Sequence, residues 1–301
     1  MATDNPTILV IGATGYLGGP IVPRLLAEGW HTRLLVRDPD AIRDRFGRSV
    51  EVVRGDVTDE ASVDRALNGC SAVYISLQAR IPAEFDRVEH QGTSTVAKIA
   101  ARQGIERLIY LSGALVSQQT SYVPQEGAKW HAEQAIERSG VPYTIFRPTY
   151  FMESLPLSVR GKRATVMGPA TRKLRFVALD DYLTLVIQAL KTPASANQRL
   201  DVYGPQAMTM REAMDTFVRL VDPTLKVSQT PFMMLRVLNA LFMRGALTPV
   251  IDLAEMTEKF GESGTGDLTT RLVGTPSTTL EQWCATYRAQ RETASSIRQT
   301  G

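Results

Sequence analysis

Cysteine is nearly absent from this chain of 301 residues. Cys70 and Cys284 stand far apart, so they build no disulfide framework and cannot hold zinc alone. A reducing compartment, the cytoplasm, is the expected location. Histidine is as sparse: His31, His90 and His131 are scattered, and none is spaced to share a metal with another. Each reads as an ordinary surface or capping residue, and no metal is expected. An excess of one charge is missing too. The 34 basic and 31 acidic residues leave a net charge of +3, which argues against a nucleic-acid partner. No run of about 18 uncharged apolar residues exists, so no membrane span is expected. The most apolar stretch, 231–253, is interrupted by Arg236, Asn239, Arg244 and Asp252. Met1 to Pro6 carry no basic region and do not read as a signal peptide. Internal repeats, low-complexity stretches, a Gly-x-Ser-x-Gly elbow and a phosphate loop ending in Gly-Lys-Ser/Thr are all lacking.

What is present is ordinary globular usage, 44% hydrophobic and 22% charged, which excludes disordered, collagen-like and coiled-coil chains. The first half alternates strand-like and helix-like runs. Strands are expected at 7–11, 32–36, 50–54, 72–76, 108–111 and 143–146. Helices are expected at 21–28, 39–46, 61–67, 88–102 and 125–139. Such alternation predicts an α/β fold, a doubly wound parallel sheet covered on both faces. After Arg147-Pro148 the rhythm changes, and nine of the ten methionines fall at Met152 or later. Phe176-Val177, a helix over 181–191 and a strand over 200–203 look like a return to the sheet. Helices at 210–220, 232–242 and 250–260 lie outside it. The expected division is a dinucleotide-binding domain of 1–150 plus 174–204, a smaller and mainly helical substrate-binding part of 151–173 plus 205–290, and a polar, frayed tail of 291–301. Met208, Met210, Met214, Met233, Met234 and Met243 read either as an adaptable apolar pocket or as plain core.

The sharpest motif is Gly12-Ala-Thr-Gly15-Tyr-Leu-Gly18, which follows a strand and opens a helix. Gly12 permits the tight turn, Gly15 lets the backbone approach a pyrophosphate, and Gly18 lets the helix pack close to the strand. Helix N-terminal amides then meet the phosphates. At the end of the second strand Arg37 precedes Asp38. An arginine there accepts the 2′-phosphate of NADP and an acidic residue binds the ribose of NAD, so NADP(H) is favoured over NAD(H). Asp56, after the third strand, is placed either to bind an adenine amino group or to cap its own loop. Thr14, Tyr16, Leu17, Val57, Ser76, Leu77 and Pro148 complete the expected dinucleotide contacts.

These residues resemble a family. Gly12 to Gly19, Leu35-Val-Arg37, Gly55-Asp-Val-Thr-Asp59, Tyr110-Leu-Ser112, Lys129 with Glu133, and Tyr143-Thr-Ile-Phe-Arg147-Pro148 are similar to an atypical short-chain dehydrogenase/reductase, best to its NmrA-like branch. The set spans residues 7–205 in order. Arg147 to Leu155 and the region of Gly204-Pro205 and Pro231 resemble, more loosely, vinyl-reducing members from plants and bacteria. The resemblance implies a Rossmann fold, a nicotinamide cofactor, and a substrate cleft between the sheet's C-terminal edge and the late helices. It also implies a catalytic Ser, Tyr and Lys, with Tyr four residues before Lys. Lys129 matches the lysine, but Gln125 stands where the tyrosine belongs; the serine position falls on Gly113, and Ser112 just before it is the catalytic serine candidate. Glutamine has no ionisable proton, so standard carbonyl reduction is not expected.

Two readings of Lys129 follow: an ammonium on the nicotinamide ribose, or a surface lysine paired with Glu133 one turn on. Tyr122, seven residues before Lys129, would be a substitute acid if the helix began early enough to put both on one face. Pro124 argues for a later start. Tyr150 and Phe151 read as nicotinamide-pocket lining or as core aromatics. The expected function is NAD(P)H-dependent reduction of an apolar, conjugated or quinone-like small molecule, which asks less of a protein acid than ketone reduction does. A non-catalytic NADP-binding redox sensor and an NAD(P)-dependent isomerase or epimerase are the alternatives. The oligomeric state is open, with a homodimer among the options.

Overall fold

The computed structural model describes residues 5–79 and 81–300. Met1 to Asp4, on which the signal-peptide reading partly rests, lie outside the described residues. Two compact units divide the chain. The first holds 1–147, 183–201 and 267–274; the second holds 148–182, 202–266 and 275–301. The return to the first unit thus begins at Leu183 rather than at residue 174, and the segment 267–274 joins it unannounced by the sequence.

The first unit is built on a parallel sheet. Its elements run β1 (Thr7–Ile11), α1 (Ile21–Ala27), β2 (His31–Val36), α2 (Asp40–Phe46), β3 (Glu51–Arg54), α3 (Glu60–Leu67), β4 (Ala72–Ile75), α4 (Thr93–Arg102), β5 (Arg107–Leu111), α5 (Pro124–Ser139) and β6 (Tyr143–Pro148). Strand order across the seven-stranded sheet is β10-β6-β5-β4-β1-β2-β3, where β10 is Gln198–Val202. Every pair from β3 across to β6 is parallel. The Rossmann expectation holds. Its core runs through Leu9, Val73, Val96, Leu108 and Ile145, none of them measurably exposed. The order reverses between β1 and β4. In open α/β sheets a ligand binds outside the carboxyl ends of the strands at such a switch point. The loops that begin at Gly12 and Ser76 flank it.

Two helices carry the site's side chains. The expected helix over 88–102 is instead a π-helical segment, Phe85–Gly92, that runs into α4. Its wider turn breaks the 3.6-residue period, and π-helical turns concentrate at functional sites. α5 begins where Pro124 fits a first turn that needs no N–H and where extended Val123 cannot be helical. It ends at Gly140, whose φ of 80° is left-handed.

In the second unit β7 (Val159–Arg160), β8 (Arg163–Met167), β9 (Lys173–Leu174), α6 (Leu179–Lys191, which crosses into the first unit), β11 (Met208–Thr209), α7 (Met210–Val221), β12 (Lys226–Thr230), α8 (Phe232–Phe242), α9 (Thr248–Phe260), α10 (Asp267–Val273, in the first unit) and α11 (Leu280–Thr300) follow. A small sheet of β12, β8 and β7, and a β11–β9 pair, were not expected. Their strands are five residues or fewer and mix polar with apolar positions too briefly to set a period. α11 runs through Thr300, with Trp283 and Cys284 anchoring its first part in the core, and Gly301 of the expected tail lies outside the described residues. The methionine expectation divides. Met214 is buried core and Met208 and Met210 pack against it, whereas Met233, Met234 and Met243 are exposed together with Leu241 and Phe242.

Candidate active site

The glycine loop follows β1 as expected. Gly12 has a φ of +95°, and a Cβ there would stand 2.1 Å from the Ser76 carbonyl oxygen. A Cβ on Gly18 would meet the Gly12 carbonyl at 2.5 Å. At Gly15 the same atom meets only the Gly12 carbonyl, at 3.1 Å, with open space beyond. Gly12 and Gly18 therefore hold the loop's shape, while Gly15 leaves a cradle that a side chain would fill. Among the described residues, the Leu17 and Gly18 amides have no acceptor. The loop thus fits a diphosphate: free N–H groups, a gap without Cβ, and a following helix.

Arg37, Asp56, Val57, Ser76 and Leu77 follow β2, β3 and β4 at the same sheet edge. Arg37 follows β2, is exposed, and makes no ion pair with a described residue. A second cation, Arg45 on α2, donates to the Ala13 carbonyl at 3.3 Å and lies against Gly19. Sequence reading missed it, because an arginine in a last helical turn reads as a solvated end. Asp56 accepts from the Thr58 amide and hydroxyl, both at 2.9 Å, so one carboxylate oxygen caps its own loop. Val57 is buried against Gly92. The Ser76 amide closes on Ile11 at 2.9 Å, and Leu77 is half-buried on the core.

α5 brings together a charged cluster that the sequence only half announces. Lys129, its side chain 12% exposed, lies 3.3 Å from Oε2 of Glu89, which is fully buried. The alignment falls short of a hydrogen bond. The other Glu89 oxygen accepts from the Ala79 amide at 2.9 Å. Glu89 thus ties the loop after β4 to Lys129. The expected Lys129–Glu133 pairing is corrected. Glu133, also fully buried, accepts from the Ser112 hydroxyl at 2.5 Å and takes both guanidinium arms of Arg147, with Arg199 at 3.5 Å. Ser112 is therefore held as a donor into a carboxylate. Nothing in sequence spacing relates Glu89 to Lys129, since the π-helical turn sets the register.

Three other expectations take definite places. Tyr122 lies before α5 and is 63% exposed, so it does not share the Lys129 face. The condition for its use as an acid is not met. Gln125 stands one turn before Lys129 in the second helical position. His90 and His131 are not scattered in space: their rings lie 5.2 Å apart, and His90 Nδ1 bonds Asp86 at 2.7 Å. No metal-holding group of three ligands exists among the described residues.

Pro148, Tyr150 and Phe151 belong to the second unit. Phe151 is buried, bridged to Val177 and edge-on to Tyr182 at 5.5 Å. The Tyr150 hydroxyl meets Thr257 at 2.9 Å. Beside it Glu262 accepts from Thr149 and from Arg175 at 3.0 Å, and Arg175 lies 3.7 Å above the Tyr203 ring. Both aromatics thus have core partners within their own unit.

Glu126 was not foreseen. It is 6% exposed on the inner face of α5, one turn before Lys129. Burial, reinforced by Glu89 and Glu133 and opposed by Lys129, pushes its carboxyl up to about 7. The native state therefore binds a proton that the unfolded chain gives up at lower pH. That contribution is full below the ordinary carboxyl range and is lost as pH rises toward about 7. Relative to Glu126→Gln, the wild type should lose on the order of 3 kcal/mol of stability between about pH 4.5 and 7. Urea unfolding of both proteins across that range measures it; parallel curves would show a carboxyl of ordinary acidity.

Comparison with known proteins decides the family. The model of the NmrA-like family matches residues 4–287. The chain belongs to that family. It is 29% identical over 284 residues to a (4-alkanoyl-5-oxo-2,5-dihydrofuran-3-yl)methyl phosphate reductase of Streptomyces griseus, covering 93% of this chain and 97% of the relative. It is 28% identical over 211 residues to an NAD(P)H azoreductase of Xenophilus azovorans, covering 68% and 70%. An NADPH-dependent quinone oxidoreductase of Escherichia coli, crystallised with NADPH, superposes with a TM-score of 0.76 at 19% identity over 93% of this chain and 99% of that one. That likeness is one of fold. No helix among the described residues is long and apolar enough to cross a membrane.

Proposed function

We propose that this NmrA-like protein is an NAD(P)H-dependent reductase of an apolar, conjugated or quinone-like small molecule, with NADP(H) preferred. The observation that carries the reading is the charged end of α5. A nearly buried lysine stands at the switch-point edge of a dinucleotide-type sheet, and no phenol stands one turn before it. The two reductases at 28–29% identity support the class. In this reading the first unit binds the dinucleotide.

When bound, the reduced nicotinamide supplies the hydride. The chain's own residues bind, orient and balance charge. The Leu17 and Gly18 amides take the diphosphate, with Arg45 beside the loop. Arg37 takes the 2′-phosphate. Lys129, held by Glu89, orients the ribose and stabilises negative charge that develops on the acceptor. Ser112 serves by fixing Glu133, and through it Arg147, rather than by reacting.

Arg37→Ala should weaken NADPH binding by roughly tenfold to hundredfold, about 1.5–3 kcal/mol, and leave NADH binding nearly unchanged. Fluorescence titration of both cofactors checks this; equal affinities in the wild type would end the NADP preference. Oxidation of NADPH at steady state against a panel of quinones, enones and ketones tests the function. Turnover with conjugated acceptors and none with simple ketones is expected. The second reading, a non-catalytic NADP-binding regulator, is favoured by Gln125 alone. Tight NADPH binding with no acceptor turned over would select it.

A further inference from the structure

We infer that Glu126 is the proton-carrying group at the reacting end of this site, in the role that Gln125 cannot fill. The inference rests on the reductase reading above. Three buried glutamates lie on α5 and the π-helical segment, and two are committed. Glu133 is saturated by Ser112 and Arg147, with Arg199 close by. Glu89 accepts from Ala79 and faces Lys129. Glu126 accepts no hydrogen bond from any described residue, although it is 6% exposed. A largely buried carboxyl to which no protein group donates is disfavoured as an anion. Being three residues before Lys129, it shares that lysine's helical face.

The groups that face it are Lys129 and Glu133 on its own helix, Glu89 from the π-helical segment, and Tyr110 from β5. Two carboxylates and one ammonium leave a near balance between its acid and anionic forms. Its carboxyl stands at about 7, so a proton is both held and releasable near neutrality. A glutamate in the first turn of a helix also gains as an anion from the helix N-terminus.

The balance of the step is complete. The acceptor's electrophilic carbon takes a hydride from the dinucleotide, and its conjugated oxygen or nitrogen gains the electron pair. The Glu126 O–H bond breaks as the new bond to that atom forms. The carboxylate left behind faces the Lys129 ammonium and recovers a proton from water. Overall, one hydride and one proton are consumed per acceptor reduced.

The first measurement needs no turnover. NADP+ is titrated calorimetrically into the full-length protein at about pH 7, in two buffers of different ionisation enthalpy. A cation arriving beside Glu126 would drive its proton off, so wild type should release a large fraction of one proton more than Glu126→Gln, the small release common to both coming from the 2′-phosphate, whose second pKa is about 6. The wild-type curve of proton release against pH should centre near 7. Wild type that binds NADP+ with no proton release beyond that of the 2′-phosphate overturns the assignment, and this result does not depend on how any variant folds.

The second measurement is the pH profile of kcat. Glu126→Gln should lower kcat by about hundredfold or more and flatten its alkaline limb, whereas Glu126→Asp should keep the limb. A merely structural glutamate would change neither the proton release nor the limb. Turnover and a limb equal to wild type in Glu126→Gln overturn the proposal. Glu126-dependent proton release with no acceptor reduced would remove the reductase reading and leave the proton site standing.

Discussion

Gly15→Val should abolish dinucleotide binding while the chain stays folded, and Gly12→Ala should do the reverse, disturbing the fold first. The two glycines differ in what surrounds them. A Cβ on Gly15 meets one carbonyl at 3.1 Å, which a shift of a few tenths of an ångström relieves. The rest of the side chain would project into the space that a diphosphate needs. Losing two charge-assisted contacts to phosphate, each worth about 1.5–3 kcal/mol, weakens binding by at least about hundredfold. A Cβ on Gly12 meets the Ser76 carbonyl at 2.1 Å, and the φ of +95° adds strain for any L side chain. Left-handed strain of about 1–2 kcal/mol and overpacking of about 1–3 kcal/mol together give roughly 2–5 kcal/mol. Circular dichroism, urea unfolding and NADPH fluorescence titration separate the cases. A folded Gly15→Val protein that binds NADPH normally would show that the loop does not hold the diphosphate.

The same loop marks what was legible in the sequence. Glycine at 12, 15 and 18 after a β-rich run is a local pattern with a steric cause, and the structure keeps all three in the expected setting. The strand–helix alternation announced the sheet for a similar reason, since fully buried strands such as Ala72–Ile75 read as continuous apolar runs. The charged cluster was only partly legible. Lys129 was found through its resemblance to a family position. Its partner Glu89 comes from a π-helical turn whose register no 3.6-residue pattern encodes. Glu126 looked like an ordinary acidic residue in a helix's first turn, and only burial gives it another character. Arg45 and the His90–His131 approach depend on packing between elements distant in sequence. Local chemistry is therefore readable where one turn creates it, and unreadable where two helices must meet.

Lys129→Ala should lower kcat by about tenfold to a thousandfold, the range for losing one preorganised electrostatic contact. It should also destabilise the protein, because Glu89 is fully buried and Lys129 is the cation paired with it. Removing one partner of a buried pair costs about 3–5 kcal/mol, much of it from the charge left unpaired. The two effects separate in a double-mutant cycle with Glu89→Gln. If Glu89 only positions Lys129, Glu89→Gln should lower kcat less than Lys129→Ala does. Adding it to Lys129→Ala should recover stability without recovering rate. Steady-state kinetics on an acceptor that wild type reduces, with urea unfolding of all four proteins, measures both axes. Recovery of rate together with stability would show that the pair only holds the helix in place. Turnover of Lys129→Ala at the wild-type rate would remove Lys129 from the chemistry.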